Sequence, residues 1–165
     1  MGVTVEKVAW SHGDAERLRA AQRAELDARY GSDDHEPGVI PSADDVPVFL
    51  IARDGEGSAV VCGGLRPLDP SVLGDGVAEI KRMYAAPGAR GTGAAVRLLR
   101  ALEDEARLLG IRRLVLETGS AQPDAVRFST REGYDAIPLF GSYVGSEISL
   151  CFARSLTADA VSDRR

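Results

Sequence analysis

A glycine turn between a strand pattern and a helix pattern is the first segment of this sequence that could do chemistry. Residues 90–95 read Arg-Gly-Thr-Gly-Ala-Ala, and an apolar helical repeat follows them. The first turn of a helix has unpaired N–H groups and a partial positive charge, and glycines let an anion approach those groups closely. Such a turn is typical of a phosphate site.

Two familiar phosphate-binding loops fit this turn badly. A P-loop has Lys-Ser/Thr after its last glycine, where Ala94 and Ala95 stand. A dinucleotide fingerprint has a third glycine, where Val96 stands, and an early place in the chain. A glycine-rich strand-to-helix turn that binds no ligand therefore stays open as an alternative at this point.

The elements before the turn are predicted to be a helix and three extended segments. After a short apolar-alternating start, a helical pattern opens with Ser11 or Asp14 as its cap and stops at Gly31. Residues 48–68 read as two strands joined at Asp-Gly-Glu-Gly, which is a strong hairpin signal. Residues 76–87 form another extended segment, which brings the chain to the turn.

The elements after the turn alternate between helix and strand. A helix is predicted over 94–109, a buried strand over 111–119, a second helix from 123, and closing strands over 134–140 and 147–156. This order predicts an α/β or α+β fold with one parallel crossover. We expect one domain over 1–157 and a frayed tail over 158–165.

Composition excludes several classes of protein. A net charge of −5 argues against nucleic-acid binding, and no apolar run approaches the roughly 20 residues of a membrane span. The start lacks a signal-peptide layout, so we expect a cytoplasmic protein. Cys62 and Cys151 lie far apart and are predicted to be buried free thiols, and the sequence shows no cluster of metal ligands.

Longer motifs around the turn resemble one enzyme family. The segments AEIKRMYAAPGARGTGAAVRLLRALEDEARLLG, RRLVLETG and PDAVRFSTREGY resemble the GNAT superfamily of N-acetyltransferases, and FGSYVGSEISLCFARSL resembles the end of a bacterial branch of it. The acyl-CoA signature Arg-x-x-Gly-x-Gly/Ala falls on Arg90, Gly93 and Ala95. The resemblance implies a mixed, mostly antiparallel central sheet with flanking helices, splayed at a β-bulge.

The resemblance also implies acetyl-CoA as co-substrate and no metal. The pantetheine arm would pair with the backbone of Met83, Tyr84 and Ala85, and an amide of Met83 or Tyr84 would polarise the thioester carbonyl. Gln122 stands where an asparagine often contacts the arm. The pyrophosphate would be held by Arg90, Gly91, Thr92, Gly93, Ala94 and Ala95, with Arg97 either helping or solvated.

The implied reaction is direct attack of a neutral amine on the thioester, which needs a proton acceptor and a proton donor. Glu79 is the candidate base, and Glu117 is the second choice. The family's usual acid is a tyrosine, but Ser129 occupies that position, and a serine hydroxyl is far less acidic than a phenol. Possible substitutes for that acid are Tyr84, Tyr134 and Tyr143.

The acceptor is expected to be a primary amine of a small molecule. Carboxylates in the loop after the first helix could attract a cationic amine or could simply be solvated; they are Asp33, Asp34, Glu36, Asp44 and Asp45, with His35 among them. A protein lysine or N-terminus is an alternative acceptor, and a CoA-binding domain without turnover is an alternative function. The sequence leaves a homodimer open.

Overall fold

A seven-stranded mixed sheet forms the centre of the computed structural model, which describes residues 2–31, 38 and 40–156. The strands are β1 (Thr4–Lys7), β2 (Val48–Arg53), β3 (Ala59–Pro67), β4 (Val77–Ala85), β5 (Arg113–Gly119), β6 (Asp135–Ile137) and β7 (Ser149–Ser155). Their spatial order is β1-β2-β3-β4-β5-β7-β6, and β4–β5 is the one parallel pair in the described sheet. The predicted mixed sheet with a parallel crossover is confirmed.

Four α-helices flank the sheet in the described part of the chain: α1 (Gly13–Tyr30), α2 (Pro70–Leu73), α3 (Ala94–Leu108) and α4 (Pro123–Arg131). The predicted cap of α1 was wrong, because His12 fills that role and its Nδ1 accepts from the amide of Asp14 at 3.1 Å. The predicted end at Gly31 is confirmed, where φ is +74°. The short helix α2 was not predicted.

The hydrophobic core lies on both faces of the sheet. The apolar stripe of α3, including Leu98, Leu99 and Leu102, packs against one face, and each of these leucines is buried. Helix α1 and the chain around Phe140 cover parts of the other face. Burying apolar surface is the main favourable contribution to folding, so the packing of these two layers on the sheet holds β4 and β5 in place.

A β-bulge in β4 separates β4 from β5. Tyr84 pairs with Cys62 and Lys81 pairs with Gly64, so β4 contains one extra residue between these pairs. Arg82 lies in the bulge with φ of +59°, a left-handed conformation that non-glycine residues rarely adopt. Beyond three parallel residue pairs at Val77–Glu79, β4 and β5 diverge. The splay implied by the resemblance is present.

Both cysteines are buried free thiols, as predicted. Burial raises the pKa of Cys62 to about 12 and that of Cys151 to about 11. The tail predicted for 158–165 lies outside the described residues, and so do Asp33, Asp34, His35 and Glu36 of the acidic loop.

Candidate active site

Two connected cavities occupy the gap between β4 and β5. The inner cavity, of about 140 Å³, lies deep in the splay, and the outer groove, of about 590 Å³, leads from it toward the glycine turn. The residues that line both are Gln22, Leu26, Met83, Gln122, Ala125 and Phe128. The gap is therefore one continuous path from the protein's surface to the sheet interior.

The outer groove ends on backbone amides of the glycine turn. Gly91 and Gly93 have φ of +79° and +88°, and within the described residues no backbone group accepts from the amides of Gly91, Gly93, Ala95 or Val96. All four of these residues line the groove. Unpaired amides at a helix start are anion donors, so this end of the groove fits a phosphate.

The other residues predicted to bind phosphate at the turn make hydrogen bonds within the protein or do not line the groove. The Thr92 hydroxyl donates to the Ala89 carbonyl at 2.5 Å and accepts from the Ala94 amide at 3.3 Å, which closes the turn. Arg90 lines the groove, and its guanidinium donates to Glu25 at 2.8 Å. Arg97 is exposed on α3 and does not line the groove. Val96 was missed because it has no distinctive side chain.

The strand residues predicted to hold an extended ligand follow the groove wall. Met83, Tyr84 and Ala85 line it, and the Met83 carbonyl accepts from Gln22 Nε2 at 2.9 Å. Gln22 Oε1 is buried and has no hydrogen-bond partner among the described residues. A buried amide oxygen without a donor costs free energy, so a ligand N–H in the groove would satisfy it.

The hydroxyls predicted near the inner cavity are directed elsewhere. Ser129 lines this cavity, but its Oγ donates to the Ala125 carbonyl at 2.9 Å. Tyr134 donates to the buried Glu103 at 2.8 Å, and burial followed by the charge of Glu103 raises the pKa of Tyr134 well above its usual value. Neither hydroxyl is aimed at the gap.

One tyrosine that sequence reasoning missed does line the inner cavity. Tyr30 ends α1, and Gln122 Nε2 lies 3.5 Å from its hydroxyl oxygen. A Cβ at Gly119 would lie 1.5 Å from the same oxygen, so the glycine is what lets the phenol approach β5. The contact between Tyr30 and Gln122 joins residues 92 apart in sequence, and no local sequence pattern can indicate such a pair.

Glu79 lies in a buried charged cluster on the face of the sheet opposite α3. Its carboxylate is 2 % exposed and accepts from Arg66 at 3.1 Å and from the Tyr143 hydroxyl at 2.5 Å. Lys81 Nζ lies 3.5 Å from Glu79 Oε2 and donates to the Tyr143 oxygen at 3.0 Å. We call these four residues the buried relay cluster.

The buried relay cluster borders both the inner cavity and a second opening. Lys81 and Glu117 line the inner cavity. Glu79, Arg66 and Tyr143 line a side depression of about 270 Å³, which also includes Asp45. The two predicted carboxylates therefore face different spaces, with Glu117 accepting from Ser149 Oγ at 2.7 Å.

Charged residues at alternate positions of β4 could have indicated the cluster from sequence. Residues 79 and 81 are both charged in a strand that is otherwise largely apolar, and side chains two apart share a face. Within the described residues, no group of three or more histidine, cysteine or acidic side chains is placed to hold a metal ion. None of the described helices has the length and apolarity that crossing a bilayer requires.

Comparison with known proteins identifies a family model and several relatives. The model described as the acetyltransferase (GNAT) family matches residues 11–134. An IAA acetyltransferase of Azospirillum brasilense is 37% identical over 108 residues, covering 66% of this chain and 67% of that protein. YjgM, an uncharacterized N-acetyltransferase of Escherichia coli, is 33% identical over 82 residues, covering 50% and 48%. The chain thus spans about half to two thirds of these relatives' lengths.

Solved structures share the fold. A Klebsiella pneumoniae protein classed as an acyl-CoA N-acyltransferase superposes with a TM-score of 0.75 at 32% identity, covering 94% of this chain and 98% of that one. N-acetylglutamate synthase of Neisseria gonorrhoeae, solved with coenzyme A and N-acetyl-glutamate, has a TM-score of 0.67 at 20% identity, covering 95% and 36%. The second likeness shows the fold alone.

Proposed function

The chain belongs to the GNAT acetyltransferase family and is an acyltransferase, and on that premise we propose that it transfers the acetyl group of acetyl-CoA to a primary amine of a small molecule. The observation that carries the proposal is the continuous path in the splayed sheet. It begins at four unpaired amides and ends beside buried titratable side chains.

The path fits the donor from end to end. The amides of Gly91, Gly93, Ala95 and Val96 would hold the pyrophosphate, as anions bind at helix starts. The backbone of Met83 to Ala85 would pair with the pantetheine arm like an added strand. The thioester supplies an activated acyl group, and it would lie in the inner cavity.

The acceptor would approach from the side depression, where Glu79 lies. Glu79 is our proposed base, since the amine must lose a proton for attack to succeed and a carboxylate can accept it. Arg66 already donates to this carboxylate at 3.1 Å, and so does the Tyr143 hydroxyl at 2.5 Å, so both of its oxygens are engaged. Glu117, which lines the inner cavity, is therefore the rival base.

A small acceptor is favoured by the size of the side depression. Its volume of about 270 Å³ is near the lower end of the range for small-molecule pockets, about 300–1,000 Å³. The relative from Azospirillum brasilense is named IAA acetyltransferase, which agrees with acetyl transfer.

The test is a panel of acceptors with acetyl-CoA, followed by release of free thiol. The panel contains small primary amines, amino acids, a lysine-containing peptide and a peptide with a free N-terminus. We expect thiol release with a subset of the small amines and none with the peptides. Binding of acetyl-CoA without thiol release from any acceptor would overturn the proposed activity, and release with peptides alone would overturn the acceptor class.

A further inference from the structure

The leaving sulfur of acetyl-CoA needs a proton, and two of the hydroxyls considered as its source, those of Ser129 and Tyr134, are already hydrogen-bonded elsewhere. This question rests on the proposed function, since it concerns the same site. Thiolate departure is faster when an acid is placed beside the sulfur. Ser129 donates within α4, and Tyr134 donates to Glu103. With these two hydroxyls engaged, the structure favours a proton donor in another wall of the inner cavity.

Lys81 is a proton-bearing group in that wall. Its side chain is 5% exposed, and its Nζ donates to the Tyr143 hydroxyl oxygen at 3.0 Å. The same hydroxyl donates to Glu79 at 2.5 Å, so one oxygen links the lysine to the carboxylate. We propose that the Lys81 ammonium protonates the leaving CoA sulfur, and that Tyr143 returns a proton from Glu79 to Lys81.

The proton count closes within the buried relay cluster. The amine nitrogen bonds to the acetyl carbon, its surplus proton moves to the Glu79 carboxylate, and the carbon–sulfur bond breaks with its electron pair on sulfur. Lys81 gives that sulfur a proton and becomes neutral. Tyr143 then passes its hydroxyl proton to Lys81 and takes the one on Glu79, which restores all three groups.

The positions of these groups match the two halves of the reaction. Glu79 lines the side depression, where the amine would enter, and Lys81 lines the inner cavity, where the thioester would lie. Lysine and tyrosine side chains have similar reference pKa values, about 10.4 and 10, so an ammonium can replace a phenol as the acid. Charged residues that belong to the buried relay cluster or line the inner cavity with Lys81 include Glu79 and Arg82 on its own strand, Arg66 on β3 and Glu117 on β5.

Tyr30 is the competing proton donor, because its phenol side chain lines the same inner cavity. The structure favours Lys81 for two reasons. Lys81 lies on a central strand, which positions a group more accurately than the last residue of a helix does. Lys81 also has a hydrogen-bonded route to a carboxylate, through the hydroxyl of Tyr143.

The first experiment measures the pKa of the CoA thiol bound to the enzyme, by thiolate absorbance, with no amine present. An ammonium beside the sulfur lowers that pKa, so Lys81→Gln should raise it by about one unit or more. Lys81→Arg keeps the positive charge and should leave it close to the parent value. Lys7→Gln is the matched control, since Lys7 is an exposed lysine paired with Glu105. An unchanged thiol pKa in Lys81→Gln would overturn the contact between Lys81 and the sulfur.

The second experiment measures turnover, in order to distinguish the positive charge of Lys81 from its ability to give up a proton. Arginine cannot be deprotonated in a protein, so Lys81→Arg should lose kcat by about 100-fold or more while its Kd for CoA stays within about threefold. Parent-like turnover of Lys81→Arg would overturn the donor role, and so would a loss confined to Tyr30→Phe. A parent that acetylates no amine would refute the proposed function, while the thiol titration would still decide whether Lys81 contacts the sulfur.

Discussion

The proposed donor side and the proposed acceptor side of this site are built in different ways. On the donor side, the groups proposed to bind the ligand are mainly main-chain groups at the end of β4 and the start of α3, between residues 83 and 96, and side chains of α1 and α4 complete the groove. The acceptor side consists of side chains brought together from β3, β4 and the turn at Gly141–Tyr143. In the proposed site, backbone geometry would therefore determine how the donor binds, and side-chain chemistry would determine the acceptor and the reaction.

The largest expected effect comes from the acceptor side, at Glu79. Removing a general base costs about 100- to 10,000-fold in rate, so Glu79→Gln should lower kcat by at least about 100-fold. The KM for acetyl-CoA should stay near the parent value, because Glu79 does not line the donor path. Glu117→Gln serves as the matched carboxylate change, and steady-state kinetics from pH 6 to 10 measures both.

An unchanged kcat in Glu79→Gln across that range, together with a large loss in Glu117→Gln, would move the base to the inner cavity. The acceptor side would then lose its part in the chemistry.

The next effect is expected on stability rather than on turnover, at Tyr134. Tyr134→Phe leaves the buried Glu103 without its hydroxyl partner and should reduce the free energy of unfolding by about 1–3 kcal/mol. Because the pKa of Tyr134 is raised in the folded state, its contribution to the free energy of unfolding is complete below about pH 10 and falls as the pH rises further. The Tyr134→Phe variant should lack that fall in stability. Urea unfolding at two pH values measures this, and a loss of kcat without a loss of stability would contradict it.

A third effect should separate donor binding from folding, at Gly93. An alanine at φ of +88° is strained by about 1–2 kcal/mol, so Gly93→Ala should distort the amide cradle and raise the KM for acetyl-CoA about tenfold. Gly110→Ala is the matched control, because Gly110 has φ of +76° and equally open space but lies at the far end of α3. Equal KM values in the two variants would show that the turn does not hold the donor.

The smallest effect is expected at the rim of the side depression. Asp45→Asn weakens the 3.2 Å ion pair with Arg66, which is partly exposed and contributes about 0.2–1 kcal/mol. The KM for the amine should rise a few-fold, with the KM for acetyl-CoA unchanged. Asp69→Asn is the control, because Asp69 is an aspartate that caps the start of α2 and does not line the side depression. A larger change in the KM for acetyl-CoA than in that for the amine would contradict the division of the site.

The sequence could predict the open glycine turn at the end of the groove because its signals are local. Residues 90–95 stand next to one another, and their glycines indicate an open turn whichever side chains surround it. The order of strands and helices followed from period and turn residues in the same way. The cap at His12 was missed because histidine is a rare cap compared with serine or aspartate.

The acceptor side could not be predicted in the same way. The hydrogen bond from Tyr143 to Glu79 joins residues 64 apart, and that from Arg66 joins residues 13 apart on a neighbouring strand. No spacing in one sequence gives such pairs, because they depend on strand register and on the packing of the chain around Phe140. Ser129 could be located by position, but its bond within α4 needed the structure.

The extra residue in β4 also bears on how such a cleft can persist while sequences diverge. The opening depends on the number of residues between two strand pairs, and Arg82 marks the surplus. A substitution leaves that number unchanged, whereas a deletion would shift one part of the strand by a residue and turn its side chains to the opposite face. The cleft therefore depends on the number of residues in β4, rather than on the identity of most side chains along it.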